Sequence, residues 1–146
     1  MKRWFDELKD FGITKKDYVI SDNDLSKRFR KKAQEKDIIW SLINKALIYN
    51  INDYIKQHSI YRLMGNFIKN EEKNDPNQYF KLSTKCLLLK YKSEGIKKVR
   101  FIASLGERTC KNCTKLNGKI FVIDKALKDI PSPNKWCKNK DEQGYL

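Results

Sequence analysis

Residues 24–58 contain neither glycine nor proline, and no other feature constrains the fold of this chain more. A stretch of that length without a breaker is helical when its apolar residues recur at sums of three and four. Leu25, Phe29, Trp40, Ile43, Leu47, Ile51 and Tyr54 do so. The pattern predicts one long amphipathic helix, or two helices broken near Asn50 or Asn52. Trp4, Phe5, Leu8 and Phe11 predict a short helix before it, with Gly12 as its stop. Residues 14–20 show no clear period, and Ser21 or Asp22 is placed to cap the long helical stretch. Residues 59–70 continue helically through Leu63, Met64, Phe67 and Ile68. A polar turn comes next at 70–77. Residues 78–94 then form another helix through Tyr79, Leu82, Cys86, Leu89 and Tyr91, ended by Gly95. The expected bundle core is Trp40, Ile43, Leu47, Leu63, Phe67, Leu82 and Leu89. Cys86, in an apolar run with three leucines, reads as a small core residue.

The character changes after Gly95. Val99, Phe101 and Ala103 alternate with differently facing residues, as do residues 119–123, which predicts two short strands forming a hairpin. Asp124 is placed to cap a one-turn helix through Leu127. Pro131 and Pro133 then direct an extended tail to Cys137. The fold class is therefore mainly α, a helical bundle with one long helix, plus a small C-terminal β-hairpin of zinc-knuckle type. Residues 1–95 make the helical domain, and residues 96–146 make a cysteine-containing segment packed on the helices.

The predicted hairpin flanks Cys110-x-x-Cys113, a spacing that lets two sulfurs face one ion, and Cys137 can close the cage. Thiolates are soft ligands that suit zinc or an iron–sulfur cluster. A segment of this size has little core of its own, so a structural zinc held by Cys110, Cys113 and Cys137 is expected. That set is one ligand short of four. A redox pair fits poorly, because the spacer is Lys111-Asn112 and the chain continues to Gly118 and a strand. A zinc deaminase needs His-x-Glu upstream, and the single histidine, His58, is followed by Ser59 and Ile60. His58 reads as an ordinary interhelical or surface residue. Nothing marks a catalytic site, so the chain is read as a non-enzyme.

Arg108, Cys110, Cys113, Leu116, Gly118, Lys119 and Phe121 together resemble the C-terminal motif of phage minor head, or head morphogenesis, proteins. The strand entered through Lys97, Lys98 and Arg100 and the segment from Pro131 to Cys137 are similar to the same family, over roughly residues 95–137. That family usually ends its motif with Cys-Arg-Cys or a His before a Cys, where this chain has Gln143, Gly144, Tyr145 and Leu146. The resemblance implies a phage or mobile-element origin and a role near capsid assembly or DNA packaging. It places the chain in a bacterial host cytoplasm or on a virion.

Charge points to the partner. Lysine and arginine outnumber aspartate and glutamate 32 to 18, a formal net charge of +14. Part of that excess is a lysine-rich composition. The rest is local: Lys27, Arg28, Arg30, Lys31 and Lys32 put five cations into six positions. Lys97, Lys98 and Arg100 are placed to extend the surface. Such density suits an acidic protein surface or a nucleic acid. The expected function is a protein–protein interaction, capsid-related or inhibitory, made through a basic helical surface. The alternative is a DNA- or RNA-binding module with a structural zinc knuckle. No apolar run approaches the length of a membrane span and no leader-like stretch opens the chain, so a reducing cytoplasm without membrane contact is expected.

Overall fold

The computed structural model describes residues 1–103 and 111–129. Five helices come first: α1 (Lys2–Lys9), α2 (Lys15–Phe29), α3 (Glu35–Tyr49), α4 (Tyr54–Glu71) and α5 (Asn77–Ser93). A smaller part comes after them, with β1 (Lys98–Arg100), α6 (Lys111–Leu116), β2 (Ile120–Val122) and α7 (Ile123–Asp129). Among the described residues the fold is mainly helical, with a two-stranded antiparallel sheet in which Lys98 opposes Val122, Val99 opposes Phe121 and Arg100 opposes Ile120. Among the described residues no helix is long and apolar enough to cross a membrane.

Helix α1 stops where expected, with Gly12 at φ +88°. The segment without a period, residues 14–20, is the first part of α2. Its start is a capping box: Thr14 Oγ1 accepts from the Asp17 amide at 3.3 Å, and Asp17 Oδ2 accepts from the Thr14 amide at 2.8 Å. Ser21 and Asp22 therefore lie inside a helix rather than capping one, and Ser21 is buried.

The predicted long helix is corrected by a break at residues 30–34. Arg30 takes the left-handed conformation at φ 53°. Its amide bonds Lys27 O at 3.2 Å, and the Lys31 amide bonds Ser26 O at 3.2 Å. These are the two bonds of a Schellman motif, which normally uses glycine at this position. Two effects favour stopping here. Continuing the helix would stack like charges at i,i+3 and i,i+4 among Lys27, Arg28, Lys31 and Lys32. The Ser26 hydroxyl also accepts the Ala33 amide at 2.9 Å, which tethers the exit. The second break falls where the sequence placed it, between Asn50 and Asp53. The Asn50 side chain donates to Ala46 O and Phe11 O, and Asp53 caps α4 by accepting the Lys56 amide at 3.0 Å.

The main core joins α1, α3 and α4: Trp4 and Leu8, Ile39, Leu42 and Ile43, Ile60 and Phe67 are all buried. Trp4 is seated at its far end by a 2.8 Å hydrogen bond from Nε1 to Glu71 Oε1. Of the expected core, Ile43, Leu63 and Phe67 are buried, while Trp40 and Leu47 are half-buried and pack against that cluster. Leu82 is 38% exposed, and Leu88 rather than the half-buried Leu89 is fully covered. The inner face of α5 runs through Phe80, Ser83 and Cys86. There Gly65 of α4 lets the Phe80 ring approach the α4 backbone.

The smaller part packs on the far end of α5. Val99, Ile123 and Ala126 cluster with Leu88 and Tyr91, and Lys92 Nζ meets Asp124 Oδ1 at 2.7 Å. The two strands pair as expected, but α6 lies between them, so Cys113 stands on a short helix rather than on a bare hairpin turn.

Candidate interaction surface

The basic group of α2 is fully displayed. Lys27 and Arg28 occupy the last helical turn, where cations complement the negative end of the helix dipole. Arg30, Lys31 and Lys32 lie on the exit, and all five side chains are exposed. Among the described residues the ion pairs are made elsewhere: Arg3–Glu7, Lys9–Asp6, Lys36–Glu72, Lys45–Asp17, Lys90–Glu94 and Lys92–Asp124. The nearby Asp22 is occupied, accepting Ser26 Oγ at 3.1 Å. Phe29, 45% exposed, stands among the cations.

Lys97, Lys98 and Arg100 are also exposed, but α2 packs chiefly on α3 and β1 pairs with β2, so they belong to a different part of the fold. Their own surface is mixed. The register sets Lys98 across from Val122 and Arg100 across from Ile120, with all four exposed. A separate apolar corner lies at the α3–α4 turn, where Ile48 is 69% and Ile51 is 68% exposed.

Two polar groups, the buried Asp17 and the half-buried His58, are partnered inside the fold. Asp17 accepts from Thr14, from Tyr49 Oη at 2.8 Å and from Lys45 Nζ at 2.8 Å. The Lys45 ammonium, followed by the Thr14 and Tyr49 donors, holds the Asp17 carboxyl below the usual carboxylate range. The network ties the start of α2 to α3. Sequence reasoning missed it, although the Thr14-x-x-Asp17 spacing is a readable cap signal. His58 is interhelical: its Nδ1 lies 2.7 Å from Ser83 Oγ and 2.9 Å from Ser83 O, and Ser83 Oγ lies 2.7 Å from His58 O. Burial pushes the imidazole below its ordinary value, and Arg62 adds to that. With the imidazole proton given to Ser83 O and the hydroxyl proton to His58 O, the pair staples α4 to α5.

Of the three expected metal ligands, Cys110 and Cys137 lie outside the described residues. Cys113 is fully buried with Phe101 and Ala103, and Leu116 and Phe121 pack against them. Among the described residues no three His, Cys, Asp or Glu come together at a metal-holding distance. Cys86 is directed to α4, its thiol 3.7 Å from Gln57 Oε1. Comparison with the models of known families, with curated proteins and with solved structures finds no match for this chain.

Proposed function

We propose that this chain is an interaction protein of phage or mobile-element origin that binds an acidic protein surface through the basic end of α2. The observation that carries the reading is the exposure of Lys27, Arg28, Arg30, Lys31 and Lys32 without a carboxylate partner among the described residues. Lys27 and Arg28 complement a helix dipole. The other three make no ion pair among the described residues, and a partner relieves their repulsion. A helix C-terminus presents carbonyl oxygens rather than amide donors. An anion arriving there, carboxylate or phosphate, meets side-chain cations without the backbone cradle of a helix N-terminus. The cysteine motif, similar to that of an assembly protein, supports the protein-binding reading. Nucleic acid is the competing reading, with Phe29 as the side chain on which a base would stack.

The test is affinity purification from the native host with proteins and nucleic acids both identified, repeated with Arg28, Arg30 and Lys32 replaced by alanine. The triple variant is expected to lose a discrete acidic protein while its thermal unfolding stays close to that of the parent. If the partner is duplex DNA instead, log K falls with log salt by about 0.9 per phosphate contact, and the triple variant flattens that slope by up to about three units. Capture of the same proteins and nucleic acids by both chains rejects a binding role for this surface.

We further propose that Cys110, Cys113 and Cys137 hold a structural zinc. The buried thiol of Cys113 in an apolar shell is compatible with a soft, structural donor set. When bound, the metal supplies cross-linking of the segment after β1, and no chemistry on a substrate. Elemental analysis is expected to give close to one zinc per chain, with the three thiols protected from alkylation until a chelator is added. Well under one metal per chain with all thiols reactive overturns this assignment.

A further inference from the structure

The basic end of α2 is continuous with an apolar cleft that the charge pattern alone does not reveal. Between α1, α2 and α3 lies a cavity of about 360 Å³ whose apolar wall is Met1, Phe5, Tyr18, Val19 and Ile39. Lys2 and Lys15 stand at its edges. Val19 is 56% exposed, so the cleft is open to a partner at that point. Phe5 and Tyr18 meet edge to face at 5.9 Å and shape the floor. A second cavity of about 270 Å³ adjoins the first and shares Tyr18 and Glu35 with it. It is lined further by Asp22, Ala33, Ile38 and Lys32. Lys32 belongs to the basic exit of α2. Because they share Tyr18 and Glu35, the two adjoining cavities are read together as a groove along the α2–α3 seam, lined mainly by apolar side chains in the first and carrying Lys32 in the second.

We infer that this groove receives an acidic, apolar-anchored peptide segment of the partner protein. The inference rests on the reading of the chain as a binder of acidic protein and names the place where the partner's specificity is read. A large apolar side chain enters beside Val19 and Ile39. Carboxylates on either side of it meet Lys2 and Lys15 at one end and Lys32 at the other. Among the described residues none of these three lysines is engaged in an ion pair. Glu35 lines both cavities and Asp22 lines the second beside Lys32, so the partner carries no acid between its two ends, and a hydroxyl or amide donor suits Glu35. This alternation selects against the other occupants. A nucleic-acid backbone, charged at every residue, would run its phosphates past Glu35 and Asp22. A fatty acid fills the apolar half and leaves the Lys32 half unmatched. A second copy of a chain with net charge +14 brings like charge to like charge.

The test is panning of a random peptide library against the full chain, followed by titration of the enriched peptides. Enrichment of bulky apolar residues flanked on both sides by Asp or Glu is expected. Val19→Glu puts a like charge at the anchor position on an exposed site and is expected to weaken those peptides about tenfold or more. Val19→Ile retains binding, and circular dichroism checks that both variants fold. Lys15→Glu is expected to weaken the same peptides and to reduce the salt dependence of their binding. Enriched peptides that lack acids, or that bind Val19→Glu as tightly as the parent, overturn the groove. If peptides ignore Val19→Glu but are lost on replacing Arg28 and Arg30 by alanine, the groove is rejected while the basic surface stands. If laurate competes for the cleft and no acidic peptide is enriched, the peptide assignment is rejected in favour of a lipid. If acidic peptides are lost on Val19→Glu while the host partner is untouched by replacing Arg28 and Arg30 alone with alanine, the groove stands and the wider basic surface does not.

Discussion

Phe67→Ala is expected to destabilise the folded chain by about 3–5 kcal/mol, the usual cost of emptying a buried aromatic site. Phe67 is 1% exposed and stands at the centre of an aromatic chain. Trp4 meets it edge to face at 5.3 Å, Trp40 stacks on it at 5.7 Å, and Tyr79 meets Trp40 edge to face at 5.6 Å. These rings come from α1, α3, α4 and α5, so no single helix can shift to fill the space. Geometry of this kind adds roughly 0.5–1.5 kcal/mol per pair beyond area burial. Urea unfolding followed by circular dichroism is the measurement, because Trp4 and Trp40 would change their fluorescence for trivial reasons. Trp40→Ala is expected to cost less, since Trp40 is only half-buried. A Phe67→Ala chain within about 1 kcal/mol of the parent would reject this core, since large-to-small changes at packed sites cost more.

Gly65→Ala is expected to lower stability by about 2 kcal/mol or more, against the direction of helix propensity. Alanine is favoured over glycine inside a helix by about 1 kcal/mol. A methyl group at Gly65, however, would lie 2.4 Å from Phe80 Cε1 and 2.7 Å from Cδ1. The ring cannot easily withdraw: Phe80 is 5% exposed, and the Arg62 guanidinium covers it at 5.8 Å. Overpacking commonly costs about 1–3 kcal/mol, and occasionally more; contact this short belongs at the upper end, so it outweighs propensity. The decisive measurement is a double-mutant cycle. Phe80→Leu in the Gly65→Ala background should cost much less than in the parent, with a coupling of about 1–3 kcal/mol. A Gly65→Ala chain at least as stable as the parent would show that α5 slides freely on α4.

The helices that were readable in the sequence are those with a periodic apolar face or a glycine stop. Gly12 and Gly95, both at positive φ, end their helices where expected. The features that escaped reading did so for specific causes. Helix α2 buries only Asp17 and Ser21, so it has almost no apolar face, and its start is announced only by the capping box. The break at Arg30 uses a residue without left-handed preference and is imposed by charge crowding and the Ser26 tether. On α5 four apolar residues in succession, Cys86 to Leu89, fit either face. The deciding partner is Ser83, polar and buried because His58 receives it. The basic surface was legible as local density. The groove beside it was not, because Phe5, Val19 and Ile39 come from three helices whose juxtaposition depends on the unread start of α2.

The hydrogen bond from Trp4 to Glu71 spans 67 residues of chain, and this imposes an order in time. Helix α1 leaves the ribosome before the helix that completes its seat exists. At about 5–20 residues per second, the delay is roughly 3–13 s. Through that interval Trp4, Phe5 and Leu8 form an amphipathic segment without its final partner. Helix α1 is thus made well before its seat is complete, and the groove it helps to wall does not reach its final form until α4 has been made.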